Sequence, residues 1–479
     1  MNRDIINSIE AKKDLFTTLS DNIWAVPETC FTEEKSSAYL IDALKKEGFV
    51  VEEGVAGIKT AFVATYGHGS PIIGITGEFD ALSGLSQQAG VAVKTPGKRG
   101  EAGHGCGHHL LGSAGVAAVV AVKDWLDKTG REGTIKYFGC PAEEGGSGKA
   151  FMARDGVFDG LDVALSWHPS SLNMIMTGSS LANVQVYYRF KGVAAHAAGA
   201  PHLGRSALDA VELMNIGVQF LREHVIQEAR MHYAITNPGG YSPNVVQADA
   251  EVLYLLRAPE NSQVQDILRR VNKIAEGAAL MTETELEIDF VKACSNTIPN
   301  FALERVIYNA MTEIGAPKYT AEEIAFADEI EKSIENKANT VSAFAKKIAD
   351  KAERAKVMEY ADKSLVDIIM PHIPDETPMA GSTDVGDVSW CCPTAQVNTA
   401  CYSANTPGHS WQLVAQGKSG PAYKGMLYAG EIMAAAAIHL YENPDDIAEA
   451  KAEWKERVGD GYVCPIPKGV VPRSIAPKK

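Results

Sequence analysis

The sequence predicts an α/β protein: a mixed, largely parallel sheet flanked by helices, with a ferredoxin-like α+β unit inserted into it. Three observations carry that reading. Short β-branched apolar runs alternate with helical stretches over residues 61–167, the alternation that builds a buried parallel sheet. The order then changes to β-α-β-β-α-β over residues 182–293, the split unit of ferredoxin-like folds. After residue 296 the first pattern resumes. The chain therefore reads as one larger domain, residues 1–181 with 294–479, interrupted by a smaller one at 182–293.

Element by element, Ile5, Ile6, Ile9, Leu15, Leu19, Ile23 and Trp24 lie at helical spacing and predict one amphipathic helix over 5–25. A second is expected at 33–47, closed by Gly48. Strands follow at 61–66, 71–76, 133–139 and 163–167, with helices at 110–126 and 148–154. Inside the insert, strands are expected at 182–191, 232–237, 248–257 and 285–291, and helices at 206–223 and 263–279. A helix at 301–314, two solvated helices in the Ala-, Glu- and Lys-rich stretch 320–362, a strand at 395–402 and a helix at 426–441 complete the chain.

Composition narrows the function. A chain of 479 residues, 46% hydrophobic and 22% charged, can bury the cores of two or three domains. With 45 basic and 60 acidic side chains its net charge is -15, which argues against a nucleic-acid partner. No signal-like stretch opens the sequence, and the apolar runs at 115–122 and 433–438 are too short to span a bilayer, so no membrane association is expected. Eight cysteines without a Cys-x-x-Cys pair suit a reducing cytoplasm.

The segment His104-Gly-Cys106-Gly-His108-His109 is the most specific. Its glycines permit sharp turns, so a thiolate and an imidazole two residues apart can converge as half of a transition-metal site. Glu143 and Glu144 follow a strand directly and point in different directions, one suited to metal and the other to protons. Nearby Gly146-Ser-Gly148-Lys149 imitates a phosphate loop, but Glu143 and Ala150 stand where that loop needs glycine and a hydroxyl, which excludes nucleotide binding. His168 ends the next strand, His409 follows the last, and Asp80 lies just past another. All these donors fall beyond the carboxyl ends of predicted strands or in the loops that follow, the edge where open α/β sheets bind ligands.

In this order the motifs resemble the M20 metallopeptidase and amidohydrolase family, in the branch whose metal-bridging position is a cysteine. Residues 77–86, 103–108, 206–210 and 381–389 carry the likeness. The resemblance implies two divalent cations, Mn²⁺ or Zn²⁺, in the larger domain, bridged by Cys106 and held also by His108, Glu144, His168 and His409. Glu143 is implied as general base and acid, and Asp80 as the carboxylate that orients a ligand. The insert is implied to be a lid and dimerisation domain. Its His196 would reach a partner subunit's site to hold the oxyanion, with Asn244 and Arg257 binding substrate. Glu78 stands where the peptidase branches place a ligating histidine.

The expected reaction is hydrolysis of the amide in an N-acyl or N-aroyl amino acid with a free carboxylate, p-aminobenzoyl-glutamate first. Glu143 would take a proton from a water between the cations and return it to the departing nitrogen. A dipeptidase of the β-alanyl type and a non-catalytic or partner-dependent polypeptide of a larger hydrolase are the alternatives. The chain is expected to pair as a homodimer or with a related polypeptide.

Overall fold

The computed structural model describes residues 2–98 and 100–474. Seven strands form the first sheet: β1 (Val50–Glu53), β2 (Phe62–His68), β3 (Ile72–Glu78), β4 (Gly133–Cys140), β5 (Val163–Ser170), β6 (Met174–Met176) and, late in the chain, β11 (Thr394–Ala400). Their order is β1-β2-β4-β3-β5-β11-β6. The central β4-β3-β5-β11 run parallel, and the flanking strands pair antiparallel. Nearly every side chain of the central strands is buried, as a sheet covered on both faces requires.

Helices His108–Thr129 and Gly420–Glu442 close one face. Their Ala- and Gly-rich surfaces let the backbones approach: a Cβ built on Gly430 would lie 3.1 Å from that of Ala117. Helix His108–Thr129 is long and apolar enough to cross a membrane, but it is wrapped by the rest of the fold.

The second sheet holds β7 (Ala182–Lys191), β8 (Arg230–Asn237), β9 (Asp249–Ala258) and β10 (Glu285–Cys294) in the order β10-β7-β9-β8, all antiparallel. Strict alternation along β9 buries Ala250, Val252, Tyr254, Leu256 and Ala258. Helices Ala207–Leu221 and Asn261–Thr282 cover that face, the first capped by Ser206 Oγ accepting from Asp209 N–H. This core continues into Phe138, Phe158 and Ala164 of the first sheet's layer.

The structure corrects two expectations. The opening helix is two, Asn2–Ala11 and Lys13–Trp24, broken where Lys12 leaves helical dihedrals (φ -112°, ψ 14°). The stretch 320–362 forms three helices, Ala321–Lys332, Thr340–Ala345 and Lys351–Met358. They are not merely solvated: Val341, Ala345, Ile348 and Val357 share a core with Leu172, Val366, Met370 and Ala404. Strands β1 and β6 and helices Val385–Cys391, Trp411–Gln416 and Pro444–Val458 add to the elements expected from periodicity.

Candidate metal centre

Parallel register brings the carboxyl ends of β4, β3, β5 and β11 together: Glu78 lies opposite Cys140, and His168 opposite Asn398. The loops leaving this edge carry the donors. Gly107, at φ 85°, turns the chain into helix His108–Thr129, and a Cβ there would lie 2.1 Å from the Tyr402 hydroxyl. That turn aims Cys106 and His108 at one point. His104 and His109 look elsewhere, each bonded through Nε2 to a backbone carbonyl, of Ile23 and Gly417.

Three groups of three donors form among the described residues, each with its ligand atoms within 4.8 Å of one another, and two of them converge: Cys106, His108 and His168, and Cys106, Glu144 and His409. Cys106 is common to both. The His168 Nδ1–H donates to the Pro169 carbonyl (2.8 Å), which leaves Nε2 facing Cys106 Sγ at 3.3 Å. His409, at φ 53°, is fixed by its N–H on the Gly105 carbonyl (3.0 Å) and brings Nε2 to 3.4 Å from Glu144 Oε1. Asp80 joins the two groups: Oδ1 accepts from His108 Nδ1 (2.8 Å) and Oδ2 from the Glu144 N–H (3.0 Å).

The donor set fits divalent cations. His108 Nε2 and Glu144 Oε1 are buried and make no hydrogen bond, although His108 Nε2 stands 3.2 Å from Glu78 Oε2. Burial, aided by Glu144, pushes the Cys106 thiol well up. Burial and the charge of Glu143 push Glu144 up to about 8. Burial works against a charge on His108, yet Cys106 and Asp80 raise it well above the imidazole value. Burial lowers His168 to about 4, leaving it neutral. The protein thus concentrates negative donors with too little positive charge of its own, the condition a pair of cations relieves.

Glu143 lies beside Glu144 but in another grouping, with Glu78 and His108. Burial and Glu78 raise its proton affinity. The remaining three candidates stand on the second sheet and its loops, outside these groupings. His196 and Asn244 are exposed neighbours, the Ala197 N–H donating to the Asn244 carbonyl (3.0 Å). Arg257 lies near the end of β9, half-buried, with Nη1 3.5 Å from Ser382 Oγ and a buried Nε that has no partner.

Sequence reasoning assigned no role to four neighbours of the site. Glu33 accepts from the N–H of Ala142 (3.1 Å) and of Phe31 (2.8 Å), both left-handed, and so braces the turn into Glu143. Glu78, Lys149 and Asp384 form a buried ionic cluster behind His108. For Glu78, Lys149 and Asp384 the sequence signal is a charged residue inside an apolar or glycine-rich run, whereas Glu33 sits in the polar stretch Thr32-Glu33-Glu34-Lys35 and carries none.

The sequence pattern of peptidase family M20/M25/M40 matches residues 74–409. The chain is 50% identical over 481 residues to a polypeptide of the p-aminobenzoyl-glutamate hydrolase of Escherichia coli (strain K12), covering 99% of each chain. It is 29% identical over 328 residues to the Xaa-Arg dipeptidase of Mus musculus, covering 66% of this chain and 71% of that one. Among solved structures it resembles a dinuclear metal-binding M20 peptidase of Bacillus subtilis, with a TM-score of 0.51 at 17% identity over 90% of this chain and 99% of that one.

Proposed function

Because the chain belongs to peptidase family M20/M25/M40, we propose that it is a two-cation amidohydrolase that splits p-aminobenzoyl-glutamate into p-aminobenzoate and glutamate. The observation that carries this reading is the pair of donor groups sharing Cys106, with Glu143 beside them. The near-full-length likeness to a p-aminobenzoyl-glutamate hydrolase polypeptide supports the substrate.

Cys106, His108 and His168 would hold one cation, and Cys106, Glu144 and His409 the other. Two cations held there would supply polarisation of the amide carbonyl and a water nucleophile at neutral pH. The thiolate and imidazoles favour zinc, while the carboxylate admits manganese. Glu143, whose burial raises its hold on a proton, accepts one from the attacking water and delivers it to the departing nitrogen. Arg257 offers its guanidinium fork to the substrate carboxylate, beside Ser382. Asn244 and His196 stand on the same 182–293 insert, and His196 would reach the oxyanion in a partner subunit's site.

The Escherichia coli relative is one of the polypeptides that make up a hydrolase of more than one kind of chain, which supports assembly of this chain with a related second polypeptide. No disulfide forms among the described residues, which supports a reducing cytoplasm.

The test is metal analysis together with hydrolysis of p-aminobenzoyl-glutamate, other acyl-glutamates and short dipeptides, run with Zn²⁺ or Mn²⁺ beside Glu143→Gln. That variant should keep its metal and lose turnover by roughly 10²–10⁴-fold. Undiminished turnover removes Glu143 as base, and a preference for dipeptides over acyl-glutamates overturns the substrate.

A further inference from the structure

Lys149 is fully buried beside the centre, an uncommon place for an ammonium. Its Nζ lies 2.6 Å from Asp384 Oδ1 and 2.6 Å from Glu78 Oε1. Its backbone N–H donates to the other Asp384 oxygen at 2.9 Å, so Asp384 grips the lysine at both ends. The other oxygen of Glu78, Oε2, stands 3.2 Å from His108 Nε2. Glu78, His108 and Glu143 offer ligand atoms within 4.8 Å of one another.

Glu78 is therefore a further anionic donor within reach of the cation that His108 would hold. A hard carboxylate there would raise the coordination number and turn a sulfur- and nitrogen-rich site toward oxygen-preferring metals. The structure opposes this through connectivity. One oxygen of Glu78 is committed to an ammonium that Asp384 fixes from the opposite side, and none of the three groups is more than 2% exposed. Turning Glu78 so that Oε1 also served a cation would break its contact with Lys149 and leave the buried ammonium to Asp384 alone.

We propose that Lys149 is a positioning residue that withholds Glu78 from the metals and so reserves the centre for Cys106, His108, Glu144, His168 and His409. This rests on the two-cation reading above. It also assigns Asp384, and with it the 381–384 loop beside Arg257, the task of anchoring Lys149.

Cobalt(II) titration of the metal-stripped full chain tests this without reference to turnover, because visible band intensity falls as coordination number rises. Glu78→Gln should reproduce the wild-type spectrum, since its amide oxygen still accepts from Lys149 and no ligand is lost. The pair Lys149→Met with Asp384→Asn removes the ammonium together with the carboxylate it would leave unpaired. That protein should show weaker visible bands per cobalt, and adding Glu78→Gln should restore them. A wild-type spectrum in the Lys149/Asp384 variant overturns the proposal, as does an altered spectrum in Glu78→Gln, which would make Glu78 a ligand. If the Lys149/Asp384 variant does not fold, Glu78→Gln alone decides in the same terms. Failure of the wild type to take up cobalt with a thiolate charge-transfer band would instead overturn the metal centre itself, and the proposal with it.

Discussion

Replacing Asp80 by Asn keeps the side chain's shape and removes its charge. Asp80 is 1% exposed and accepts two hydrogen bonds, from His108 Nδ1 at 2.8 Å and from the Glu144 N–H at 3.0 Å. Asparagine has one oxygen, so its NH₂ must face one of those donors. If it faces the Glu144 amide, a buried N–H loses its partner. If it faces the imidazole, the ring must move its proton to Nε2, the nitrogen aimed at the metal site. In either case a buried group is unsatisfied in the state that aligns the ligands, at about 1–3 kcal/mol. At about 1.4 kcal/mol per decade, that is roughly 5- to 150-fold weaker metal binding, in the range of about 10–100-fold seen when a carboxylate behind a ligand is changed. Competition of the metal-stripped variant against a chromophoric chelator reads this directly, with circular dichroism to establish folding. An Asp80→Asn protein that is folded and holds both cations with wild-type affinity would refute the idea that Asp80 aligns His108 and Glu144.

Two further outcomes follow from burial. In the metal-free chain, burial raises both Glu144 and Glu33 from the ordinary 4.5 to about 8. The folded state then retains protons that the unfolded chain releases, so this stability is fully present below pH 4.5 and is lost as pH rises through 8. The Tm of the metal-free protein should fall across that window, and the rise on adding zinc should grow across it, because loading expels the Glu144 proton; a metal-free Tm that does not fall would contradict the first, and a zinc-induced shift independent of pH the second. Ile348 is 2% exposed in the core beneath 320–362, so Ile348→Ala should cost about 2–5 kcal/mol in urea unfolding, whereas an unchanged midpoint would return that stretch to surface decoration.

Several donors are legible in the sequence because they lie in or just past a run whose periodicity is local. Asp80 follows β3 by two residues, Glu143 follows β4 by three, and His168 lies within β5, so recognising the strands places the residues. The Lys149–Asp384 pair spans 235 residues and depends on sheet order, which no local pattern contains. Locally, Lys149 can only be set against a phosphate-loop template, where its mismatches are informative but its burial is invisible. The core under 320–362 is hidden in a similar way. Its few apolar side chains sit among Ala, Glu and Lys, and the residues that bury them, Leu172 and Ala404, lie far away in the chain. Strand β1, with only four residues at a sheet edge, has too short a pattern to read.

The two sides of the centre balance their charge differently, and this separates structural from exchangeable electrostatics. On one side Glu78 and Asp384 share a fixed ammonium. On the other, Cys106, Glu143 and Glu144 have no lysine or arginine ion pair among the described residues, and each is driven by burial to hold its proton. A divalent cation held there would compete with a proton for the same lone pairs, so acid should displace metal by protonating Glu144 and Cys106. In the Lys149 cluster the ammonium, whose hold on its proton Asp384 and Glu78 raise against the effect of burial, keeps its positive charge as part of the chain. Removing metal should therefore leave the Glu78–Lys149–Asp384 frame and the sheet edge in place. The centre can then reload without refolding, because the groups that lose their partner are the ones able to take up a proton instead.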